Sequence, residues 1–310
     1  MLFMFPGQGS QKIGMGKDLY DNFPSARSVF QEVDDALEYH LSRLIFDGSA
    51  EELRATANVQ PALMAVGMAC FSVLKNDFSP EILNKVKFLA GHSLGEYTAL
   101  CVGGVISLAD TARLLRVRGQ AMAAACPDTG AMAAIIGLEV DVLENLLETE
   151  NTNESIVQVA NDNCYGQVVI SGHGKAVEKA MQKSLDMGAK KAILLDVSGP
   201  FHSRLMESAL DALARAMEPL EFHNPVRPVI SNVTAAGESG NFKELLLRQV
   251  TSMVRWRESI EFSLEHAVTR LVEIGSGRVL TGLAKRIAPD VECCSLGSPE
   301  SIEKFASCFC

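Results

Sequence analysis

The sequence predicts an α/β protein in which a large unit with a mostly parallel β-sheet carries a smaller inserted unit. Apolar runs such as LFMF at residues 2–5 and VKFLA at 86–90 each lead through a glycine-rich turn into a helical pattern. Strands that alternate with helices in this way form parallel sheets covered on both faces. Between residues 127 and 198 the order becomes β-α-β-β-α-β, the ferredoxin-like split motif. With 310 residues, 47% of them hydrophobic, the chain is long enough to bury a large core.

The individual elements follow from apolar periodicity and helix-start signals. Pro61 is predicted to open a buried helix, and Ser107 with Asp110 forms a capping box for a helix through about Ala124. The large unit also has a helical pattern at 25–40, a helix from near Gly95, and strands at 227–233 and 269–275. Strands of the small unit are predicted at 131–138, 155–162, 167–172 and 189–197, with helices at 140–150 and 175–188. We therefore predict a large unit of residues 1–126 and 199–310 and a small unit of residues 127–198.

Composition and charge exclude several classes of function. The formal net charge of -10 argues against a general nucleic-acid binder, which normally has a basic surface. The eight cysteines form no C-x-x-C and the six histidines no H-E-x-x-H, so no metal site is predicted. Scattered cysteines in a chain of this length indicate reduced thiols and a cytoplasmic protein. The Cys308-Phe309-Cys310 end is either a variable tail or a redox element, and the sequence does not decide between them.

No membrane association is predicted. The N-terminal residues lack the basic region of a signal peptide, and Pro6 ends their apolar run early. The longest uncharged apolar stretch, residues 61–74, has the length of a buried helix and is too short to cross a bilayer.

The stretch AGHSLGEYTAL, residues 90–100, carries the strongest chemical signal. Ser93 lies between Gly91 and Gly95, directly after an apolar strand and directly before helix-forming residues. This strand–turn–helix context is typical of a nucleophile elbow, as in α/β-hydrolase-like folds. The Leu94 backbone N–H at the helix start would then face an oxyanion. The alternative is an ordinary glycine-rich turn between a strand and a helix.

A serine nucleophile needs a base, and His202 in DVSGPFHSRLM is the best candidate. It lies in a Gly-Pro loop after a strand and before a helix, where the base at a sheet edge would lie. The other histidines fall in polar helices, in turns, or, like His92, beside the serine with a supporting role. Asp196 is only six residues from His202 within a predicted strand, so a backbone carbonyl or an amide side chain is expected to orient the imidazole instead.

The loop GQGSQKIGMG, residues 7–16, fits neither phosphate-binding motif. Lys12 stands where G-x-G-x-x-G needs its third glycine, and Met15 stands where a P-loop needs its lysine. We expect instead that the backbone around Gln8 approaches Ser93 and supplies a second N–H to the oxyanion.

Taken together, these motifs resemble the malonyl-CoA:acyl carrier protein transacylases over nearly the whole chain. The matching stretches begin with FPGQGSQ at 5–11 and end with EIGSGRVLTGLAKR at 273–286. Between them lie VQPAL at 59–63, GHSLGEY at 91–97, RGQAM at 118–122, ANDNCYGQVVISG at 160–172, GPFHS at 199–203 and RQVTSMVRW at 248–256. The family is also similar to the acyltransferase domains of fatty-acid and polyketide synthases.

The resemblance implies a role for each motif. Ser93 would be the acylated nucleophile, His202 its base, and Arg118 the partner of the malonyl carboxylate. The backbone N–H groups of Gln8 and Leu94 would form the oxyanion hole. The backbone carbonyl of Gln249 would position the histidine. Malonyl would pass from malonyl-CoA to Ser93 and then to the phosphopantetheine thiol of acyl carrier protein, with ping-pong kinetics and no cofactor.

Three other functions stay open at this point. A hydrolase of the same fold would use the same serine–histidine pair but would not need a cation at Arg118. A stand-alone acyltransferase of a polyketide synthase would share the malonyl specificity. A non-catalytic module that binds carrier protein would not need Ser93 and His202.

A monomer is expected, and an acidic carrier protein would dock on a local basic patch of Lys190, Lys191, Lys285 and Arg286. The sequence does not determine strictness for malonyl or which carrier protein is served.

Overall fold

A computed structural model of the chain describes residues 1–125, 130–152 and 155–308. It is a mixed α/β structure, which confirms the predicted class. The strands in chain order are β1 (Leu2–Phe5), β2 (Phe88–Gly91), β3 (Gly130–Ile136), β4 (Val157–Cys164), β5 (Gln167–His173), β6 (Lys191–Leu194), β7 (Val229–Ile230), β8 (Gly237–Glu238), β9 (Val254–Arg255), β10 (Arg270–Ile274) and β11 (Glu292–Leu296).

The α-helices are numbered in the same way. They are α1 (Lys17–Asn22), α2 (Pro24–Leu37), α3 (Leu41–Asp47), α4 (Ala50–Arg54), α5 (Thr56–Val73), α6 (Leu94–Val102), α7 (Leu108–Ala125), α8 (Val140–Glu150), α9 (Gly174–Asp186), α10 (Leu210–Met217), α11 (Phe242–Thr251), α12 (Trp256–Glu265), α13 (Val279–Ile287) and α14 (Pro299–Ala306). A π-helical turn covers Leu74–Phe78, and two 3-10 helices cover Ile82–Lys85 and Arg204–Ala209.

The larger sheet has the strand order β11-β10-β1-β2-β7-β8 and is parallel except for the last pair. Its central strands β1 and β2 are buried along their whole length. Because parallel strands end at the same sheet edge, the loops after Phe5 and Gly91 meet there. Ligand sites of open α/β sheets lie at this edge.

The second sheet has the order β6-β3-β5-β4-β9. Strands β3 to β6 with helices α8 and α9 follow the predicted β-α-β-β-α-β order, and the strands are antiparallel neighbours. The short strand β9, from a part of the chain assigned to the large unit, adds in parallel to β4. This sheet therefore includes residues from both predicted units. The predicted boundary at 126/127 lies outside the described residues, and the division into subdomains stays a prediction.

Several predicted element bounds need correction. Helix α5 begins at Thr56, so Pro61 lies inside it and does not open it. The polar residues Thr56, Asn58 and Gln60 before Pro61 belong to the helix, and all three are buried. The Asn58 side chain donates to the Glu52 carbonyl, and the Thr56 hydroxyl bonds to that of Ser198. The predicted strand 227–233 shrinks to β7, because the chain after Ile230 turns toward the nucleophile elbow. Strands β8, β9 and β11 were not predicted.

The predicted helix cap at Ser107 is confirmed, but the Asp110 carboxylate bonds to the Ser107 hydroxyl, where a capping box would have it bond to the Ser107 backbone N–H. The Ser107 hydroxyl accepts from the Asp110 backbone N–H and donates to the Asp110 carboxylate. One stretch, Thr56–Phe78, is long and apolar enough to span a membrane, but 83% of its most apolar window is buried inside the protein. It forms part of the main hydrophobic core together with α2 and α7.

Candidate active site

The turn between β2 and α6 holds Ser93 in an unusual backbone conformation, with φ 53° and ψ -111°. Such values are strained for a residue with a side chain. The turn also leaves no room for side chains at positions 91 and 95, two residues before and after the serine. A Cβ on Gly91 would lie 1.9 Å from the Gly95 carbonyl carbon, and one on Gly95 would lie 2.1 Å from the Phe5 carbonyl oxygen. The two glycines therefore let strand, turn and helix pack in direct backbone contact, and the serine side chain faces a pocket.

Ser93 and His202 are hydrogen-bonded. The Ser93 Oγ lies 2.8 Å from His202 Nε2, and His202 Nδ1 lies 2.9 Å from the Gln249 backbone carbonyl oxygen. Because that carbonyl can only accept, Nδ1 carries the proton and Nε2 is free to accept one from serine. Burial, and then the nearby Arg118 guanidinium, lower the pKa of His202 to about 3. The imidazole is therefore neutral at neutral pH and suited to act as a base.

Arg118 is buried beside the serine, with only 2% of its surface exposed. Its Nη2 lies 3.1 Å from Ser93 Oγ and 3.0 Å from Gln249 Oε1, and its Nη1 lies 2.7 Å from Gln60 Oε1. Its guanidinium carbon lies 5.3 Å from the centroid of the Tyr97 ring. The arginine is thus held in place by neutral side chains and directed at the atom that would carry an acyl group.

The other arginines of helix α7 are bound elsewhere. Arg113 pairs with Asp110 on the surface, and Arg116 donates to the Asn58 side chain. Burial therefore separates Arg118 from its neighbours in RLLRVRGQAM, which their spacing along the helix could not do without the family resemblance.

Gln8, Leu94, Ser93, His202 and Arg118 all line one pocket with a volume of about 630 Å³. Within the described residues, neither the Gln8 nor the Leu94 backbone N–H donates to a protein acceptor. Both N–H groups are therefore available to a ligand oxygen, as the sequence-based hypothesis for an oxyanion hole requires.

Asp196 does not orient His202. Its carboxylate lies 3.0 Å from Arg54 Nη1 at the mouth of the pocket, and 89% of its side chain is exposed. The orienting group is the Gln249 carbonyl, which is one of the two kinds of group expected. His92 lies within the pocket wall and bonds through Nε2 to Asn163 Oδ1 at 2.9 Å.

Besides Gln60, sequence reasoning missed two further buried residues that support the site. Asn232 Oδ1 accepts from the Ser93 backbone N–H at 2.7 Å, and its Nδ2 donates to the Gly91 carbonyl. Glu96, in the first turn of α6, accepts from the Gln249 side chain at 2.7 Å. Burial raises the pKa of Glu96 to about 7, although its hydrogen bonds and Arg118 act in the opposite direction. Glu96 lies within the GHSLGEY motif, and an acidic residue in a buried helix start was the only signal available for it.

The four residues of the predicted basic patch lie outside the pocket wall. Arg286, near the end of α13, donates to the Gln167 side chain and the Tyr165 carbonyl, which flank the turn between β4 and β5. Lys191 is the first residue of the edge strand β6, and Lys190 immediately precedes it.

The fold and the serine–histidine pair are those of an enzyme that acts on acyl groups. Residues 2–286 match the acyl transferase domain family, and the chain belongs to that family. Within it, the chain is similar to proteins named malonyl CoA-acyl carrier protein transacylase. It is 44% identical to the one from Bacillus subtilis strain 168, over 97% of this chain and 94% of that protein. It is 41% identical to the one from Escherichia coli K12, over 97% of this chain and 96% of that protein.

Solved structures agree. An acyl-carrier-protein S-malonyltransferase from Bartonella henselae superimposes with a TM-score of 0.96 at 51% identity, covering 99% of this chain and 98% of that one. A malonyl-transacylase solved in complex with a type II PKS acyl-carrier protein superimposes with a TM-score of 0.92 at 40% identity, covering 99% and 98%.

Proposed function

We propose that this protein transfers the malonyl group from malonyl-CoA to the phosphopantetheine thiol of acyl carrier protein and thereby supplies fatty acid synthesis. One observation carries the proposal. The Ser93 Oγ lies 2.8 Å from the base His202 and 3.1 Å from the buried cation Arg118. A nucleophile next to a base performs acyl transfer, and a buried cation beside the nucleophile selects an acyl group that carries a negative charge.

The first half-reaction acylates the enzyme. The Ser93 Oγ attacks the thioester carbonyl carbon while His202 Nε2 takes the hydroxyl proton. The backbone N–H groups of Gln8 and Leu94 stabilise the negative charge on the carbonyl oxygen. The carbon–sulfur bond then breaks, and His202 returns the proton to the sulfur of the departing CoA. Arg118 meanwhile holds the malonyl carboxylate with parallel hydrogen bonds.

The second half-reaction reverses these steps with a different thiol. The phosphopantetheine thiol of the carrier protein enters, His202 removes its proton, and the sulfur attacks the malonyl ester. The ester bond breaks, and the proton goes back to Ser93. Both half-reactions use only groups of this chain and its substrates, so no cofactor is required.

We further propose that the enzyme acts as a monomer in the cytoplasm and binds carrier protein through the patch of Lys190, Lys191, Lys285 and Arg286. Positive charge near the pocket would steer an acidic carrier toward it, although the chain as a whole is acidic.

Mass measurement of the intact protein tests the proposal. Malonyl-CoA should add one malonyl group to the wild type, and acyl carrier protein should then remove it and gain the same mass. The Ser93→Ala variant should gain nothing, because it has no nucleophile. A malonyl adduct on Ser93→Ala would contradict the assignment of the nucleophile. Rapid loss of the adduct to water, with none on the carrier, would favour the hydrolase.

A further inference from the structure

Glu96 is a buried carboxylate that does not line the pocket. It is hydrogen-bonded to Gln249 and Asn232. These two residues in turn contact Ser93, His202 and Arg118. The Glu96 side chain is fully enclosed, with 0% of the residue exposed. Its Oε2 accepts two hydrogen bonds, from Gln249 Nε2 at 2.7 Å and from the Asn232 backbone N–H at 3.0 Å. A buried carboxyl group needs hydrogen-bond partners, so these two contacts are costly to remove.

The first of these contacts, together with a hydrogen bond from Gln249 Nε2 to the Ser93 carbonyl oxygen at 3.1 Å, determines which way the Gln249 amide faces. Because the Glu96 oxygen accepts, Gln249 must direct its NH2 group toward it, and its carbonyl oxygen therefore faces the other way. That oxygen accepts from Arg118 Nη2 at 3.0 Å. If the amide rotated, its NH2 group would face the N–H groups of Arg118, and the guanidinium would lose this acceptor. The contact with Glu96, which is shorter than the one with the Ser93 carbonyl, thus favours the orientation that holds Arg118.

The second contact acts on the nucleophile. Asn232 donates its backbone N–H to Glu96 and accepts the Ser93 N–H with its side chain at 2.7 Å. This hydrogen bond holds the strained serine backbone. Glu96 therefore supports both the turn that presents the nucleophile and the arginine that recognises the acyl group.

We propose that Glu96 is a positioning residue that fixes the Gln249 amide and through it the Arg118 guanidinium, and so sets the preference for malonyl over acetyl groups. This inference rests on the proposed function. Loss of the Asn232 contact should slow acylation by any donor. Loss of the Gln249 contact should slow acylation by malonyl-CoA further, because only the malonyl group uses Arg118.

The test measures single-turnover acylation of Ser93 by malonyl-CoA and by acetyl-CoA, quenched and followed by intact mass. In Glu96→Leu, which removes the acceptor at similar volume, the ratio of the malonyl rate to the acetyl rate should fall about tenfold, the usual effect of losing one hydrogen bond to a charged group. If Glu96→Leu does not fold, Glu96→Asp replaces it. Its carboxylate is one methylene further from Gln249, and the ratio should fall in the same direction.

Glu273 offers a matched control. It is equally buried, and its two oxygens accept from the backbone N–H groups of Leu280 and Thr281 at 3.1 and 2.7 Å, away from the pocket. Glu273→Leu, or Glu273→Asp beside the second variant, should lower stability and leave the malonyl-to-acetyl ratio at the wild-type value.

Two results would overturn the inference. The ratio in the Glu96 variant could equal that of the wild type, or the Glu273 variant could lower it by the same factor. A wild type that forms no malonyl adduct at all would be a different result, since it would refute the proposed function and the inference with it.

Discussion

At the scale of single residues, burial decides which ionisable groups take part in chemistry. His202 and Arg118 are 3% and 2% exposed and face the same serine oxygen. Burial lowers the pKa of His202 and keeps its imidazole neutral. The positive charge of Arg118 lowers this pKa further, because it disfavours a second positive charge nearby. Under the proposed function, a malonyl carboxylate that enters the pocket would form a charge pair with the Arg118 guanidinium.

Replacing Arg118 by alanine should remove malonyl selectivity. Breaking a buried charge pair costs roughly 3–5 kcal/mol, and at about 1.4 kcal/mol per tenfold this is on the order of 10²- to 10³-fold or more in kcat/KM for malonyl-CoA. Acetyl-CoA carries no such carboxylate, so its kcat/KM should change little. Arg118→Lys should recover only part of the malonyl activity, because a lysine offers a point charge where arginine offers a planar fork. Steady-state kinetics with both substrates measure the effect.

Arg113→Ala is the control on the same helix. Its side chain is exposed and pairs with Asp110 at 3.1 Å, a kind of contact that contributes little, so both activities should stay near wild type. An Arg118→Ala variant that lost both activities by one common factor would show that the arginine is structural.

At the scale of elements, the site depends on how closely β1, β2 and α6 approach one another. The backbone at Gly91 packs directly against the backbone at Gly95, and Gly95 packs directly against Phe5 at the end of β1. No side chain fits between these segments. Both glycines flank a serine that already has a positive φ. The elbow is therefore a packing constraint as well as a catalytic turn.

The variant Gly91→Ala should be strongly destabilised. Its Cβ would lie 1.9 Å from a backbone carbon in Gly95, so the strand and helix must separate, at a cost of about 3 kcal/mol or more. Urea denaturation followed by circular dichroism should show a lower midpoint or no folded baseline. The control is Gly282→Ala in α13, where a Cβ meets nothing within 4 Å and helix propensity should add up to about 1 kcal/mol. Equal midpoints for the two variants would be incompatible with this account of the elbow.

At the scale of the whole molecule, the proposed function pairs an acidic enzyme with a carrier protein that we expect to be acidic as well. A net charge of -10 would repel such a carrier at long range, which is why we propose that a local cationic surface provides the attraction. Lys285 and Arg286 lie together in the last turn of α13. Arg286 also joins that helix to the turn between β4 and β5.

Reversing the charge of Lys285 and Arg286 to glutamate should raise the KM for carrier protein and leave the KM for malonyl-CoA near wild type. The carrier KM of the wild type should also rise with salt, and that of the variant should depend on salt less steeply. Lys285→Glu alone separates the charge effect from loss of the Arg286 hydrogen bonds and should show a smaller change in the same direction. An unaltered carrier KM, or equal changes for both substrates, would refute the docking patch.

Much of this protein follows from local patterns in the chain. Short apolar strands, glycine pairs and capping residues act over a few residues, which is why the α/β class, the β-α-β-β-α-β order and the Ser107 cap could be predicted. Ser93 could be singled out for the same reason, since strand, turn and helix are contiguous. The bounds of α5 and β7 could not, because Thr56 and Asn232 are bonded to segments that are distant in sequence.

Only the folded chain brings together residues that are far apart in sequence. Ser93 and His202 are separated by 109 residues, and Arg118 and Gln249 by 131, yet each pair is hydrogen-bonded. The neutral histidine, the choice of Arg118 over Arg113 and the role of Glu96 depend on removal from water. Desolvation arises from packing of the whole molecule, so no local pattern in the sequence can reveal it.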